Sequence, residues 1–144
     1  MKFFIREGNI QEAIEVEHLI PEFEIKRTFE DYSTQLSGRK THILIAVAGE
    51  KLIGFKVGYE ATEEEFHSWL GGVLPEYRGN KIATELRKIQ ERWASKQGFK
   101  FISVDSYNKF TSMICMLVTN AYKITNFDKN ENPLRSKFTF KKEL

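Results

Sequence analysis

The residues best equipped for chemistry lie together in Leu74-Pro75-Glu76-Tyr77-Arg78-Gly79-Asn80-Lys81-Ile82-Ala83-Thr84-Glu85-Leu86. The stretch joins an apolar run to a long amphipathic one, and the chemistry it offers is anion binding. Pro75 removes a ladder donor and stops a strand, and Gly79 lets the backbone turn tightly or approach a ligand closely. The first N–H groups of the helix that follows lack intrahelical partners and sit at the positive end of its dipole. Arg78 and Lys81 add mobile charge to that fixed array, so a phosphate or pyrophosphate fits there.

The elements around this junction follow from hydrophobic period and turn residues. Lys2 to Arg6 reads as a first strand, and Gly8-Asn9 turns the chain into a helix from Gln11 that Pro21 ends. Ile25, Phe29, Tyr32 and Leu36 predict a second helix over 25–36, with Gly38 just past its end. The two form a hairpin around Pro21-Glu22-Phe23-Glu24. His42 to Ala48 and Leu52 to Tyr59, joined through Gly49, predict a β-hairpin. Phe66 to Leu74 is a fourth strand whose adjacent Gly71 and Gly72 suit a bulge.

After the junction, Ile82, Leu86, Ile89 and Trp93 predict the clearest helix of the chain, closed by Gly98. Its other side, Glu85, Arg87, Lys88, Glu91, Arg92 and Lys96, reads as a solvated face. Lys100 to Asp105 is a fifth strand, Phe110 to Asn120 a helix, Tyr122 to Phe127 a sixth strand, and Lys137 to Lys141 a seventh. A strand, helix, strand unit over 66–105 predicts a parallel crossover with the anion site at a strand's carboxyl end.

Composition narrows the function classes. The 144 residues suit one α/β domain over 1–144 with one core. Twenty-two Lys and Arg oppose 20 Asp and Glu in interleaved order, which argues against nucleic acid as partner. The lone Cys115 forms no intrachain disulfide, and its apolar neighbours predict a packed helix thiol. No signal peptide is recognisable in the first residues, and no apolar run approaches membrane-spanning length, so a soluble cytoplasmic protein without a membrane partner is expected. The histidines and the cysteine show no metal-binding spacing, so no metal is expected.

With these elements in place the whole chain resembles the GNAT family of N-acetyltransferases. The resemblance rests on element order and on Val73 to Ala83, which is similar to the family's pyrophosphate loop, [Q/R]-x-x-G-x-[G/A]. Arg78 takes its first position and Ala83 its last, whereas Lys81 stands where the pattern has glycine. A main-chain amide survives that exchange, because any residue but proline donates one. Asn120-Ala121-Tyr122 resembles the family's Gly-Phe step into the sixth strand.

The resemblance implies a mostly antiparallel twisted sheet of about seven strands with a splayed parallel pair and about four helices. It implies acetyl-CoA as co-substrate and a small-molecule or peptide amine as acceptor. Val73, Leu74, Arg78, Gly79, Asn80, Lys81, Ile82 and Ala83 would hold the coenzyme, with Asn108 and Lys109 contributing beyond the fifth strand. The family's base position, about eleven residues before Arg78, falls on His67, whose ordinary pKa of about 6.5 suits the task. Glu65, on the same face, is the second choice. The family's tyrosine acid would fall near Leu117 and Met116, so Tyr107 or water would serve the thiolate instead. A non-catalytic acyl-CoA-binding module is the alternative, and pairing of two copies through the C-terminal strands would make a homodimer.

Overall fold

Two capping boxes start the first helical layer. In the computed structural model, which describes residues 1–144, Asn9 opens α1 (Ile10–Glu17). Its side chain accepts from the Glu12 amide, and the Glu12 carboxylate accepts from the Asn9 amide. Thr28 and Asp31 repeat the device at α2 (Phe29–Leu36). The second helix is therefore shorter than the expected 25–36. Thr28 is extended at φ −93° and ψ 170°, which ends the helix there. Residues 18–28 are left as a connecting loop, in which Ile25 is 77% exposed.

Seven strands form one sheet: β1 (Phe4–Glu7), β2 (Thr41–Ala48), β3 (Lys51–Glu60), β4 (Glu65–Val73), β5 (Phe101–Tyr107), β6 (Lys123–Asp128) and β7 (Lys137–Glu143). Their order is β1-β2-β3-β4-β5-β7-β6. Every neighbouring pair is antiparallel except β4 and β5. The helix between that parallel pair is α3 (Ile82–Lys96), and α4 (Thr111–Thr119) connects β5 to β6. This is the mixed seven-stranded, four-helix architecture that the resemblance implies.

Three apolar clusters fix the layers. Ile14 and Val16 of α1 and Tyr32 of α2 pack on Phe55, Val57 and Leu70. On the opposite face Ile82 and Leu86 of α3 cover Leu44, Ile53 and Val73. Ala94, Leu117 of α4 and Tyr122 close over Phe66, Ile102 and Phe140. The α1–α2 layer stops at β4. Beyond it the same face of β5 and β7 carries Ser103, Asp105, Tyr107, Lys137, Thr139 and Lys141, a polar surface.

Three local expectations are corrected. The bulge lies at Trp69, not at the glycines: Val57 opposes Leu70 while Gly58 opposes Ser68, so Trp69 is the extra residue. Gly71 and Gly72 pair regularly with Lys56 and Phe55. The charged side of α3 is not all solvated, because Arg87 is 7% exposed and Gln90 1%. Arg87, Lys142 and Tyr122 enclose Glu91, at 2.9, 2.8 and 2.7 Å, where the start of β6 and the end of β7 cover the helix flank. Cys115 is exposed rather than packed, since α4 buries Leu117 instead. No helix is long and apolar enough to cross a membrane.

Candidate active site

The site is made by a hydrogen-bond ladder that stops early. Strands β4 and β5 pair only from Glu65 and Phe101 to Ser68 and Val104. The bulge at Trp69 follows at once, and from there the two strands part. The Leu74 amide donates to Ile53 of β3 at 2.9 Å. Main-chain direction alternates along a strand, so the polar groups of Val73 and Gly71 face away from β3 and into the opening between β4 and β5. Val73 thus turns its amide to the opening. Leu74 does not, because its amide is already spent on β3, and Gly71 takes the place beside Val73.

At the carboxyl end of β4 the chain makes a single 3₁₀ turn, Pro75–Tyr77, before α3. Gly79 has φ 82° and Lys81 φ 64°, both left-handed. Lys81 is the N-cap residue, no side chain caps the helix, and the amides of Ile82, Ala83 and Thr84 point outward without intrahelical partners. The left-handed conformation explains why a glycine would suit position 81. Lysine holds the same backbone at a cost, and the amide array is kept. Ala121, φ 71°, repeats this at the step into β6. Asn80 donates to the Tyr77 carbonyl at 3.0 Å and braces the turn, whereas Ile82 buries its side chain and offers only its amide.

The expected cations are not idle. Both Arg78 guanidinium nitrogens meet the Glu22 carboxylate, at 2.8 and 3.0 Å, and Nε donates to the Val73 carbonyl at 3.1 Å. Arg78 holds Glu22 below the usual carboxylate range. Lys109 meets Glu24 at 3.4 Å. The two glutamates of the α1–α2 loop therefore reach one cation on each side of the opening. Asn108 is committed elsewhere, donating to the Pro133 carbonyl at 3.1 Å and tying the β5–α4 turn to the chain before β7.

On the face toward the α1–α2 layer, His67 stands at the centre of a polar group that sequence reasoning found only in part. Its Nδ1 lies 2.8 Å from the Ser103 hydroxyl and its Nε2 3.6 Å from an Asp105 carboxylate oxygen. Thr139 donates to the other Asp105 oxygen at 2.9 Å. Burial lowers the His67 pKa, and the nearby Asp105 and Glu65 only partly oppose this, so the ring is neutral near pH 7. Burial would raise Glu65, but Lys141 at 2.6 Å and Ser103 outweigh it and hold the carboxyl below its ordinary value. Tyr107 is 41% exposed on the same side of β5, its ring edge-on to Phe110. Ser103 and Asp105 have no local signal near His67 in the chain; only the parallel register brings them together.

Beside this cluster a groove of about 560 Å³ runs along α2, lined by Ile25, Arg27, Glu30, Asp31, Thr34, Gln35 and Trp69. Trp69 is the bulged residue, so the feature that opens β4 from β5 also forms the groove's inner wall. Arg27 lies over both Phe23 and Trp69, with the guanidinium 5.9 and 5.6 Å from the ring centres.

Comparison with known proteins identifies the family and the fold. Residues 10–111 match the model of the acetyltransferase (GNAT) family. Among solved structures, a GNAT family acetyltransferase from Elizabethkingia anophelis with acetyl-CoA bound superposes with TM-score 0.79 at 16% identity, over 99% of this chain and 98% of that one. The ribosomal-protein-S18-alanine N-acetyltransferase from Escherichia coli gives 0.84 at 9% identity, covering 99% and 94%. The PaiA N-acetyltransferase from Thermoplasma acidophilum in complex with coenzyme A gives 0.76 at 19% identity, covering all of both chains. A search of curated protein sequences finds no match. With its family match over most of the chain and the same fold throughout, the protein belongs to the GNAT acetyltransferase family.

Proposed function

We propose that the protein transfers the acetyl group of acetyl-CoA to a primary amine by direct attack of the amine on the thioester. The observation that carries this is the early end of the β4–β5 ladder at Ser68 and Val104, with the uncapped N-terminus of α3 at its outer end. The main-chain groups of Gly71 and the free amide of Val73 match the amides of a pantetheine arm, and the amides of Ile82 to Thr84 match a pyrophosphate. A pantetheine amide could also satisfy Gln90, whose side-chain nitrogen and oxygen are both buried without partners.

The acceptor enters from the opposite face, past the α2 groove and the α1–α2 loop. An ammonium must lose a proton before its nitrogen can attack, and neutral His67 with Asp105 is the group positioned to take it. Ser103 fixes the ring through Nδ1. Glu65, held ionised by Lys141, stabilises the charge that His67 gains. A backbone amide at the bulge polarises the thioester carbonyl, a contribution worth about 3 kcal/mol where such donors are preorganised. The acceptor is a small-molecule or peptide amine, and the reduced thiol of Cys115 suits a cytoplasmic setting.

The test is release of the CoA thiol from acetyl-CoA across a panel of polyamines, aminoglycosides, amino acids and peptides. Turnover on at least one is expected, with His67→Ala lowering kcat about 100-fold and removing the acidic limb of the pH profile. Tight acetyl-CoA binding with no turnover on any amine would instead make the protein an acyl-CoA-binding module.

A further inference from the structure

Lys56 is a part-buried cation that no hydrogen bond or ion pair of the fold accounts for. It lies on β3 opposite Gly71 of β4. Its neighbours Phe55 and Val57 point into the α1–α2 layer, so by alternation Lys56 points to the α3 side. There its stem crosses Gly71. A Cβ at position 71 would stand 3.4 Å from Lys56 Cγ and 3.5 Å from Nζ. The ammonium therefore sits over the residue of β4 that faces the opening toward β5. These are ordinary van der Waals distances, so the lysine stem lies directly against the glycine's face of β4.

The surroundings leave that ammonium free. From α3 it faces Arg87 and Glu91, and Glu91 is already shared by Arg87, Lys142 of β7 and Tyr122 of β6's approach. One turn along α3 from Arg87 lies the unpartnered Gln90 carboxamide, and Arg87 Nε is likewise without a partner. Burial lowers the Lys56 pKa to about 8, near that of an ordinary thiol. A cation whose desolvation is only partly offset by its neighbours is poised to meet an anion that forms beside it.

We propose that Lys56 receives the departing CoA sulfur and gives it a proton. The assignment rests on the acetyltransferase reading above. As the amine nitrogen bonds to the acetyl carbon, the carbon–sulfur bond breaks and the sulfur leaves with the electron pair. Lys56 Nζ supplies a proton to make the CoA thiol and becomes neutral, then regains a proton from solvent. The amine's own protons leave on the other face, to His67 with Asp105. The two proton movements are thereby separated by β4, with His67 on one side and Lys56 on the other.

The test uses CoA alone and needs no acceptor. Ultraviolet absorbance of the thiolate is followed against pH for CoA bound to the full-length wild type, to Lys56→Met and to Lys56→Gln, with binding checked by calorimetry. The thiol of CoA bound to wild type should ionise at least about tenfold more readily than free CoA, and the advantage should vanish in both variants. Lys56→Arg, which keeps charge but not a mobile proton, should retain easy ionisation while losing about 100-fold in kcat once an acceptor is known. Equal thiol ionisation in wild type and the CoA-bound variants would overturn the assignment while leaving the acetyltransferase reading intact. Failure of the wild type to bind CoA would remove that reading and the assignment with it.

Discussion

Removing the Lys56 ammonium should stabilise the protein, and only over a defined pH range. An ordinary lysine has a pKa of 10.5, and in the fold Lys56 is lowered to about 8 because its cation is desolvated between β3 and α3. Each pH unit of difference corresponds to about 1.4 kcal/mol, so holding the charge in the fold costs about 3 kcal/mol below pH 8. Partial contact with solvent brings the expected figure nearer 2 kcal/mol. The sign follows from proton counts. Between pH 8 and 10.5 the unfolded chain binds more protons at this residue than the folded one, so stability at this site rises with pH through that window. Lys56→Met should therefore melt about 4–8 °C above wild type at pH 7, and the gap should close as pH approaches 10.5. Thermal melts of both proteins between pH 6 and about 10.5 measure this. A variant less stable than wild type at pH 7, or a difference that does not change with pH, would show that Lys56 is not a desolvated cation.

Two further effects should be measurable. Lys81→Gly relieves a left-handed lysine, worth about 1–2 kcal/mol, and loses about half of that to the greater freedom of unfolded glycine. It should raise the melting temperature by about 1–4 °C while Lys81→Ala gives no gain. Glu22→Gln frees the Arg78 guanidinium from its bidentate partner at the mouth of the coenzyme site. Because exposed pairs contribute about 0.2–1 kcal/mol, CoA should bind about two- to fivefold more tightly by calorimetry; unchanged affinity would mean that Arg78 does not meet the coenzyme.

The reach of sequence reasoning depended on how far apart the cooperating residues lie. Pro75, Gly79 and the Ile82-Leu86-Ile89-Trp93 stripe are local signals, and they place the strand-to-helix turn correctly because turn chemistry and helical period act over a few residues. The start of α2 is equally local: Thr28-x-x-Asp31 is a capping box, and it overrides the apolar spacing that begins at Ile25. The bulge at Trp69 carries no compositional mark, whereas the neighbouring glycines do; at Gly72 the reason is the close approach of Ile20, which a Cβ would meet at 2.7 Å. The second buried flank of α3 was invisible because Tyr122 and Lys142, which cover it, are more than 30 residues away from Glu91. The same holds for Ser103 and Asp105, which meet His67 only through the register of the parallel strands.

The central claim is that the opening between β4 and β5 receives the pantetheine arm and that the start of α3 receives the pyrophosphate. Residue-resolved amide hydrogen exchange with and without acetyl-CoA tests it directly. The coenzyme should slow exchange at Gly71, Val73, Ile82, Ala83 and Thr84, while Leu74, already bonded to Ile53, should change little. Unchanged exchange at Gly71 and Val73 in the presence of saturating acetyl-CoA would contradict the claim, even if the amides at the start of α3 were protected.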